Sequence, residues 1–454
     1  MNKTNRGALP NRVMVVGMGV SGRAVGELLL RQGIQLTATD LRARDQFNGA
    51  LDHLEENGCH LRLGAHRIED FLSADQIIVS PGVPLDIEPL IEARKKGIEI
   101  LGELEWAWRQ VDLPAIAVTG TNGKTTTTSL IGEMLKASGK RVFVGGNIGT
   151  PLSKWLLNSP TADVLVLEVS SFQLDSASRF SPQVGVLLNI TEDHLDRYDG
   201  FAAYVRSKFS LFSRQNPSSD VAIINADDSV CREGSSGVRS RVLCFSRKDQ
   251  TQASLRGREI VVNVPWQVPF TVNLEETHLL GIHNEENILA AVLASSVMGA
   301  QPSGIQEVIR HYRGLPHRVE WVRTWHGIDF YDDSKGTNVG AVVKAIENFD
   351  RPILLLLGGR DKLGSYEPLG AALKARGRGA FLFGEAAPRL NQELKGWLPV
   401  RSFSDLEEAF RDVLERAVSG DVVLLSPACS SFDQYESYAQ RGDHFKRLVM
   451  ELSE

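Results

Sequence analysis

Two short glycine-rich stretches carry the residue types that hold anionic oxygens. The first, "GMGVSG" at 17–22, follows the apolar run "RVMVV" and precedes a helical pattern. Gly17-x-Gly19-x-x-Gly22 matches the dinucleotide fingerprint, and Asp40 closes the next strand pattern 18 residues after Gly22, where an acid reaches a ribose hydroxyl. The glycines permit a tight turn, and the helix N-terminus behind them faces a pyrophosphate. NAD and a UDP-sugar share that diphosphate and ribose, so an oxidoreductase and a UDP-sugar enzyme both stay open. Glycines that only let a strand and a helix pack closely are a third reading.

The second stretch, "TGTNGKTTT" at 119–127, lies between the strand pattern "AIAV" and the helical pattern "TSLIGEMLKASGK". Val118 stands where a full Walker loop has its first glycine, so the loop is Gly120-Thr121-Asn122-Gly123-Lys124-Thr125-Thr126. Its mechanics are intact. Backbone N–H groups opening a helix hold phosphate oxygens, Lys124 reaches the outer phosphates and the Thr125 hydroxyl suits Mg²⁺. Metal ligands belong at neighbouring strand ends. Glu168 closes "VLVLE", and "NITEDHLDRY" puts Asp193, His194 and Asp196 just past another strand. Carboxylates suit Mg²⁺ and a neutral imidazole suits it less. One such acid alone serves equally well as a cap or an ion-pair partner.

The elements that must position these residues alternate. Strand "RVMVVG", helix "GRAVGELLLRQG", strand "QLTATD", strand "QIIVSPGVP", helix "EPLIEARKKG" and strand "IEILGE" imply a parallel, doubly wound sheet over about 10–105. The alternation restarts at "AIAV". The runs "DVLVLEVS" and "VGVLLNIT" are near-continuously apolar, as in a sheet covered on both faces. From about 220, "VAIIN", "RVLCF" and "REIVVNV" suggest an antiparallel excursion, and "HNEENILAAVLASSVMG" a long helix. "GLPHRVEWV" reads as a boundary, beyond which a third α/β alternation runs to a closing helix. The expected domains are 1–108, 109–314 and 315–454: Rossmann-like, P-loop-type with a mixed sheet, and Rossmann-like.

Composition narrows the class. The 454 residues are 42% hydrophobic and 23% charged, as in a globular protein, and the net charge of −6 argues against a nucleic-acid partner. Four scattered cysteines (Cys59, Cys231, Cys244, Cys429) lack metal spacing and fit reduced thiols. No signal-peptide pattern and no membrane-length apolar run is present, so a cytoplasmic protein without a membrane partner is expected.

In order along nearly the whole chain stand "TGTNGKTT", "EVSSFQLD", "NITEDHLDRY", "GIHNEENILAA", "GLPHRVEWV", "DDSKGTN", "LLLGGRDK" and "LSPACSSFDQYESYAQRGDHF". Together they resemble the Mur ligases of peptidoglycan synthesis, and among these the members that add D-glutamate. No "DNPR" segment of the diamino-acid-adding kind occurs. The resemblance implies ATP-dependent amide ligation through an acyl phosphate, with UDP-N-acetylmuramoyl-L-alanine and D-glutamate as substrates, Mg²⁺ as cofactor and a monomer as the working form. It makes the first loop a UDP site and sets the oxidoreductase reading second. A folylpolyglutamate synthetase-like enzyme shares the ATP loop but lacks a UDP domain, and a non-catalytic nucleotide sensor is the remaining alternative.

Residue by residue, the resemblance implies Lys124 on the ATP phosphates, Thr125 and Glu168 on Mg²⁺, and His194 at a second metal. Lys208, 14 residues beyond His194, matches a lysine usually carbamylated there; a solvated surface lysine is the plain alternative. Val20, Ser21, Asp40, Gly82 and Asn147 match UDP-substrate contacts, and Asn284 and Asn287 match adenine and phosphate contacts, although a capping Asn284 is equally plain. Arg318 and Asp333 match contacts to the γ-phosphate and ATP ribose. Lys335, Thr337, Lys362, Ser431 and Tyr438 match the D-glutamate pocket, where lysines suit a dicarboxylate. Tyr438 stands where many relatives have Phe, and "GGRDKLGSY" lacks the glycine that often follows the basic residue.

Overall fold

The computed structural model describes residues 10–158, 161–191, 197–279, 281–361, 365–374 and 376–453. His194 and Lys362 lie outside the described residues. The chain divides into two compact units. The first runs to Leu274 and includes Glu286–Val308; the second is Glu275–Glu285 with the chain from Ile309 on.

The first unit holds two sheets. Strands β1 (Arg12–Val16), β2 (Gln35–Asp40), β3 (His60–Leu63), β4 (Gln76–Val79) and β5 (Glu99–Gly102) pair in parallel in the order β3-β2-β1-β4-β5. The order reverses between β1 and β4, and a crevice opens at such a switch point. Helix Val20–Arg31 follows β1 and is closed by Gly33 at φ +73°, with the Ile34 N–H on the Leu29 carbonyl. That helix also packs on helix Leu152–Leu157, where Arg31 donates to the Leu157 carbonyl at 3.0 Å. This contact seats the first sheet against the second.

The second sheet comprises β6 (Ala115–Thr119), β7 (Val142–Gly146), β8 (Val164–Glu168), β9 (Val184–Leu187), β10 (Val221–Asn225), β11 (Arg241–Ser246), β12 (Ala253–Arg256), β13 (Glu259–Val262) and β14 (Phe270–Asn273). Its order is β14-β13-β12-β11-β10-β9-β6-β8-β7. Every residue of β6, β8, β9 and β10 is buried, which explains their uniform apolar runs. The expected antiparallel excursion from 220 is corrected here. β10 and β11 extend the parallel sheet beside β9, joined by a crossover through helix Ser229–Gly234, and only the β12–β14 meander is antiparallel. A fully buried β10 needs cover on both faces, which a crossover supplies and a hairpin does not.

The second unit holds β15 (Glu320–Trp325), β16 (Ile328–Asp332), β17 (Ile353–Gly358), β18 (Gly377–Phe383), β19 (Val400–Ser402) and β20 (Val422–Leu425), in the order β15-β16-β20-β17-β18-β19. All pairs are parallel except β15–β16. Apolar clusters cover both faces of this sheet. β15 begins at Glu320, within the stretch 314–322 read from sequence as a boundary. Among the described residues, no helix is long and apolar enough to cross a membrane, and the four cysteines are unpaired.

The three glycines of the first loop do different work. A Cβ on Gly22 would lie 1.9 Å from the Gly17 carbonyl oxygen, whereas one on Gly19 meets nothing within 4 Å. Gly22→Ala is therefore expected to destabilise the first unit by about 1–3 kcal/mol in chemical denaturation. Gly19→Ala should change stability by less than ~1 kcal/mol. Equal effects of the two substitutions would contradict this division of labour.

Candidate active site

Between the first two sheets lies a cleft of about 470 Å³ lined by Gly17, Gly19, Val20, Ser21, Asp40, Arg42, Ser80, Pro81, Gly82, Val83, Gly146, Asn147, Gly149, Pro151 and Gln173. All five residues matched from sequence to a UDP substrate meet in it. Gly17 takes φ +86°, and its carbonyl accepts the Ser80 hydroxyl at 2.7 Å, which ties the loop to the end of β4. Asp40 plays another part than a free acceptor. Its Oδ2 accepts the Met18 N–H at 2.7 Å and Arg42 Nη2 at 2.8 Å; its Oδ1 accepts the Arg42 N–H at 2.9 Å and Nε at 3.1 Å. Burial opposes the charge, but these bonds prevail and hold the carboxyl down at about 2. A carboxylate accepts roughly four donors, so Asp40 acts on the cleft through the Met18 amide and Arg42. Arg42, whose guanidinium sits 4.3 Å from the Phe47 ring centroid, is the cleft's own cation. Sequence reading missed it, although its place two residues past the strand-end acid was visible.

The ATP-type loop follows β6, at the switch between β8 and β9. Gly123, at φ +84°, caps helix Lys124–Ala137. A Cβ there would lie 2.1 Å from Asn287 Oδ1, so only glycine lets the loop pass beneath helix Ile282–Val297 at Asn287. Asn287 also accepts the Thr127 hydroxyl at 3.3 Å. The Thr121 and Asn122 N–H groups donate to Asn189, one to its backbone carbonyl at 2.9 Å and one to its Oδ1 at 2.8 Å. The amides that a helix start offers to an anion are here those of the first turn, Lys124, Thr125 and Thr126, together with Gly123 before it. Lys124 Nζ folds over the loop and donates to the Gly120 and Thr121 carbonyls, both at 2.9 Å. Asn284 lies within the first turn of its helix, its own N–H on the Gly281 carbonyl at 3.0 Å, and does not cap it.

Glu168 ends β8 and is 2% exposed. Its Oε1 accepts Asn147 Nδ2 at 2.8 Å, while Oε2 is buried with no partner among the described residues. An orphaned buried carboxylate oxygen beside a phosphate loop suits a divalent cation. Lys208, on helix Phe201–Phe209, is also 2% exposed. Its Nζ donates to the Gly120 carbonyl at 2.9 Å and sits 5.0 Å from the Tyr204 ring centroid. The surface-lysine reading is thereby overturned: the amine reaches the phosphate loop from a buried position.

In the second unit, the ends of β16, β17 and β20 converge. Asp333, 6% exposed, accepts the Ser426 hydroxyl at 2.5 Å and the Val319 N–H at 3.2 Å. Burial dominates over those bonds and pushes its carboxyl up to about 7. Two of its lone-pair sites remain for a ligand hydroxyl. Lys335 is exposed with Nζ 5.4 Å from the Tyr438 ring centroid; Thr337 lies two residues on, its N–H on the Lys335 carbonyl at 2.8 Å. Ser431 is buried beyond β20, and Arg318 is exposed beside His317. Behind the loops is Arg441, fully buried, donating to the Ser334 hydroxyl and carbonyl and to the Gly358 and Cys429 carbonyls at 2.9–3.2 Å. Burial lowers its guanidinium to about 10. One cation thus fixes three strand-end loops, a role the sequence did not announce. His317, Glu320 and Asp332 also cluster, but their contacts are internal: His317 Nδ1 pairs with Asp332 Oδ2 at 2.6 Å, and Glu320 binds the His317 N–H and Lys446.

A phosphate loop on a mostly parallel sheet, beside a Rossmann-like sheet and followed by a further α/β sheet, defines a three-sheet nucleotide-dependent protein. Three family models match in the same order: the Mur ligase MurD-like N-terminal domain at 11–102, the Mur ligase middle domain at 118–295 and the Mur ligase glutamate ligase domain at 317–429. The chain belongs to the Mur ligase family, whose members are ATP-dependent ligases. It is 46% identical over 445 residues to a UDP-N-acetylmuramoylalanine–D-glutamate ligase of Desulfosudis oleivorans, covering 98% of this chain and 97% of that one. It is 40% identical over 443 residues to the enzyme of the same name from Geotalea daltonii, covering 97% and 98%. Among solved structures, the fold resembles a UDP-N-acetylmuramoyl-L-alanyl-D-glutamate–2,6-diaminopimelate ligase (TM-score 0.59, 19% identity, 84% of this chain and 94% of that one). It also resembles the MurF ligase of Thermotoga maritima in complex with ADP (TM-score 0.56, 20% identity, 91% and 93%). Nothing in these matches favours an oxidoreductase.

The raised carboxyl of Asp333 gives a pH signature. Its proton is held more tightly in the folded chain than in the unfolded one, so its stabilising contribution is complete below about pH 4 and is lost as pH rises through about 7. Asp333→Asn, which cannot ionise, should remove that slope. Unfolding midpoints of both proteins across pH 4–8 should therefore diverge toward higher pH, with the variant gaining; parallel curves would refute the assignment.

Proposed function

We propose that this chain joins D-glutamate to UDP-N-acetylmuramoyl-L-alanine, with cleavage of ATP to ADP and phosphate, as a cytoplasmic monomer. The observation that carries the reading is the single cleft in which Val20, Ser21, Asp40, Gly82 and Asn147 meet, with Asn147 reaching from it to the Glu168 carboxylate beside the ATP-type loop. The relatives of that name support the choice of amino acid.

The chemistry follows from leaving groups. A carboxylate resists an amine because oxide would have to depart. One oxygen of the alanine carboxylate attacks the γ-phosphorus, forming an O–P bond as the bond to ADP breaks. The amine nitrogen of D-glutamate then adds to the acyl carbon. The tetrahedral adduct collapses, phosphate leaves with the C–O electron pair, and the nitrogen loses its proton. The amides of Gly123, Lys124, Thr125 and Thr126 and the Lys124 ammonium hold the phosphates, and Asn287 braces the loop.

Thr125 and Glu168, with His194 and a carbamylated Lys208, would hold Mg²⁺, and the orphaned Glu168 oxygen supports that fit. When bound, Mg²⁺ offsets the repulsion between the substrate carboxylate and the triphosphate. A carbamate on Lys208 forms by attack of the neutral amine on CO₂ with release of a proton. It keeps one N–H for the Gly120 carbonyl and adds a carboxylate beside the loop. We assign Asn284, Arg318 and Asp333 to ATP, and Lys335, Thr337, Lys362, Ser431 and Tyr438 to the two charges of D-glutamate.

Phosphate release tests the reading. Release should require UDP-N-acetylmuramoyl-L-alanine and D-glutamate together; release without the muramoyl substrate would sink the ligase assignment. Ligation of a diamino acid in place of D-glutamate would sink the specificity alone. Lys124→Ala should lower turnover by about 10²–10³-fold or more. Lys208→Ala should be inactive and regain activity with short carboxylic acids; a fully active variant would remove the carbamate from the mechanism.

A further inference from the structure

Asn147 belongs to two places at once. It lines the cleft with Gly146 and Gly149, and its Nδ2 donates to Glu168 Oε1 at 2.8 Å. A second bond runs in parallel, from the Asn147 N–H to the Glu168 carbonyl at 2.8 Å. Gly146 makes the approach possible: at φ +102°, any Cβ there would stand 2.4 Å from the Glu168 carbonyl oxygen. The ends of β7 and β8 are thus locked together, and the carboxylate is held by one oxygen with the other, buried, left over. The type of donor matters. A lysine or arginine in this place would neutralise Glu168 and compete with a metal ion, whereas an amide orients the carboxylate and leaves its charge intact. The same side chain keeps a second N–H and a carbonyl oxygen for whatever fills the cleft.

We propose that Asn147 is a positioning residue coupling the two sites: it aims the free oxygen of Glu168 at a divalent cation from the wall of the UDP cleft, so that cleft ligand and cation strengthen each other's binding. This rests on the reading that the cleft takes the UDP-linked substrate and Glu168 takes Mg²⁺. A ligand that engages the remaining amide groups narrows the rotamers of Asn147 and with them those of the carboxylate. Reciprocity then requires the cation to tighten the cleft ligand by the same factor.

The test uses the full chain without turnover. Mn²⁺ stands in for Mg²⁺ and is titrated by electron paramagnetic resonance, with and without UDP-N-acetylmuramoyl-L-alanine and with no ATP present. In the unsubstituted protein the UDP ligand should tighten Mn²⁺ by at least about fivefold. Asn147→Ala should weaken Mn²⁺ about tenfold or more even with the cleft empty, and should lose the enhancement. Glu168→Gln serves as the second variant, since its amide oxygen still accepts from Asn147. It should bind the UDP ligand as the unsubstituted protein does without metal, and should show no gain on adding Mn²⁺. If Asn147→Ala weakens the UDP ligand but leaves Mn²⁺ affinity unchanged, Asn147 is a cleft wall only and the coupling is refuted, with the proposed function untouched. If the unsubstituted protein binds neither ligand, the functional reading itself fails.

Discussion

A helix cannot satisfy its own first N–H groups, and both nucleotide-type loops of this chain are built on that deficit. Each loop follows a buried parallel strand, turns on a glycine with positive φ and opens a helix whose first amides face outward. The rest of the first unit serves to hold those turns still. Ser80 fixes the loop after β1, and Asn189 fixes the loop after β6 by taking two of its amides. The sheets supply the direction, because a switch in strand order opens a crevice at the carboxyl ends where the helices begin.

The charged groups around these loops are used largely as architecture. Asp40 spends its whole acceptor capacity on Met18 and Arg42, and Asp333 is tied to Ser426 and Val319. Lys208 and Arg441 are buried side chains whose donors end on oxygens of the loops. In each case an ionic side chain converts an irregular backbone into a rigid one. Beside them stand exposed groups with fewer structural ties, Arg42, Lys335 and Arg318, and the amides of the helix starts.

What the sequence made legible was whatever depends on local geometry. The glycine spacings, the fully buried strands β6, β8 and β10, and the strand ends bearing Asp40, Glu168 and Asp333 all leave a mark within a few residues. Exposed edge strands leave less. β3 and β19 have largely exposed side chains, and β15 pairs at the border of its sheet, so no apolar run betrayed them. The parallel pairing of β10 and β11 was misread because a short apolar run looks the same whichever way its neighbour runs. The role of Arg441 escaped for another reason: its partners are a hydroxyl and carbonyls of Ser334, Gly358 and Cys429 brought near by the fold, and nothing in its neighbours along the chain names them.

Arg441 carries one further implication. A guanidinium sealed from water and shared among Ser334, Gly358 and Cys429 couples the ends of β16, β17 and β20. Losing one of those carbonyl contacts leaves a buried charge short of partners. The three loops are therefore poorly free to drift in sequence or length one at a time. Divergence in this part of the molecule should concentrate at side chains that project from the loops, such as Lys335, Thr337 and the exposed Phe432 next to Ser431, while the backbone beneath them stays constant. New amino-acid preference would then arise by exchanging projections on an inherited frame.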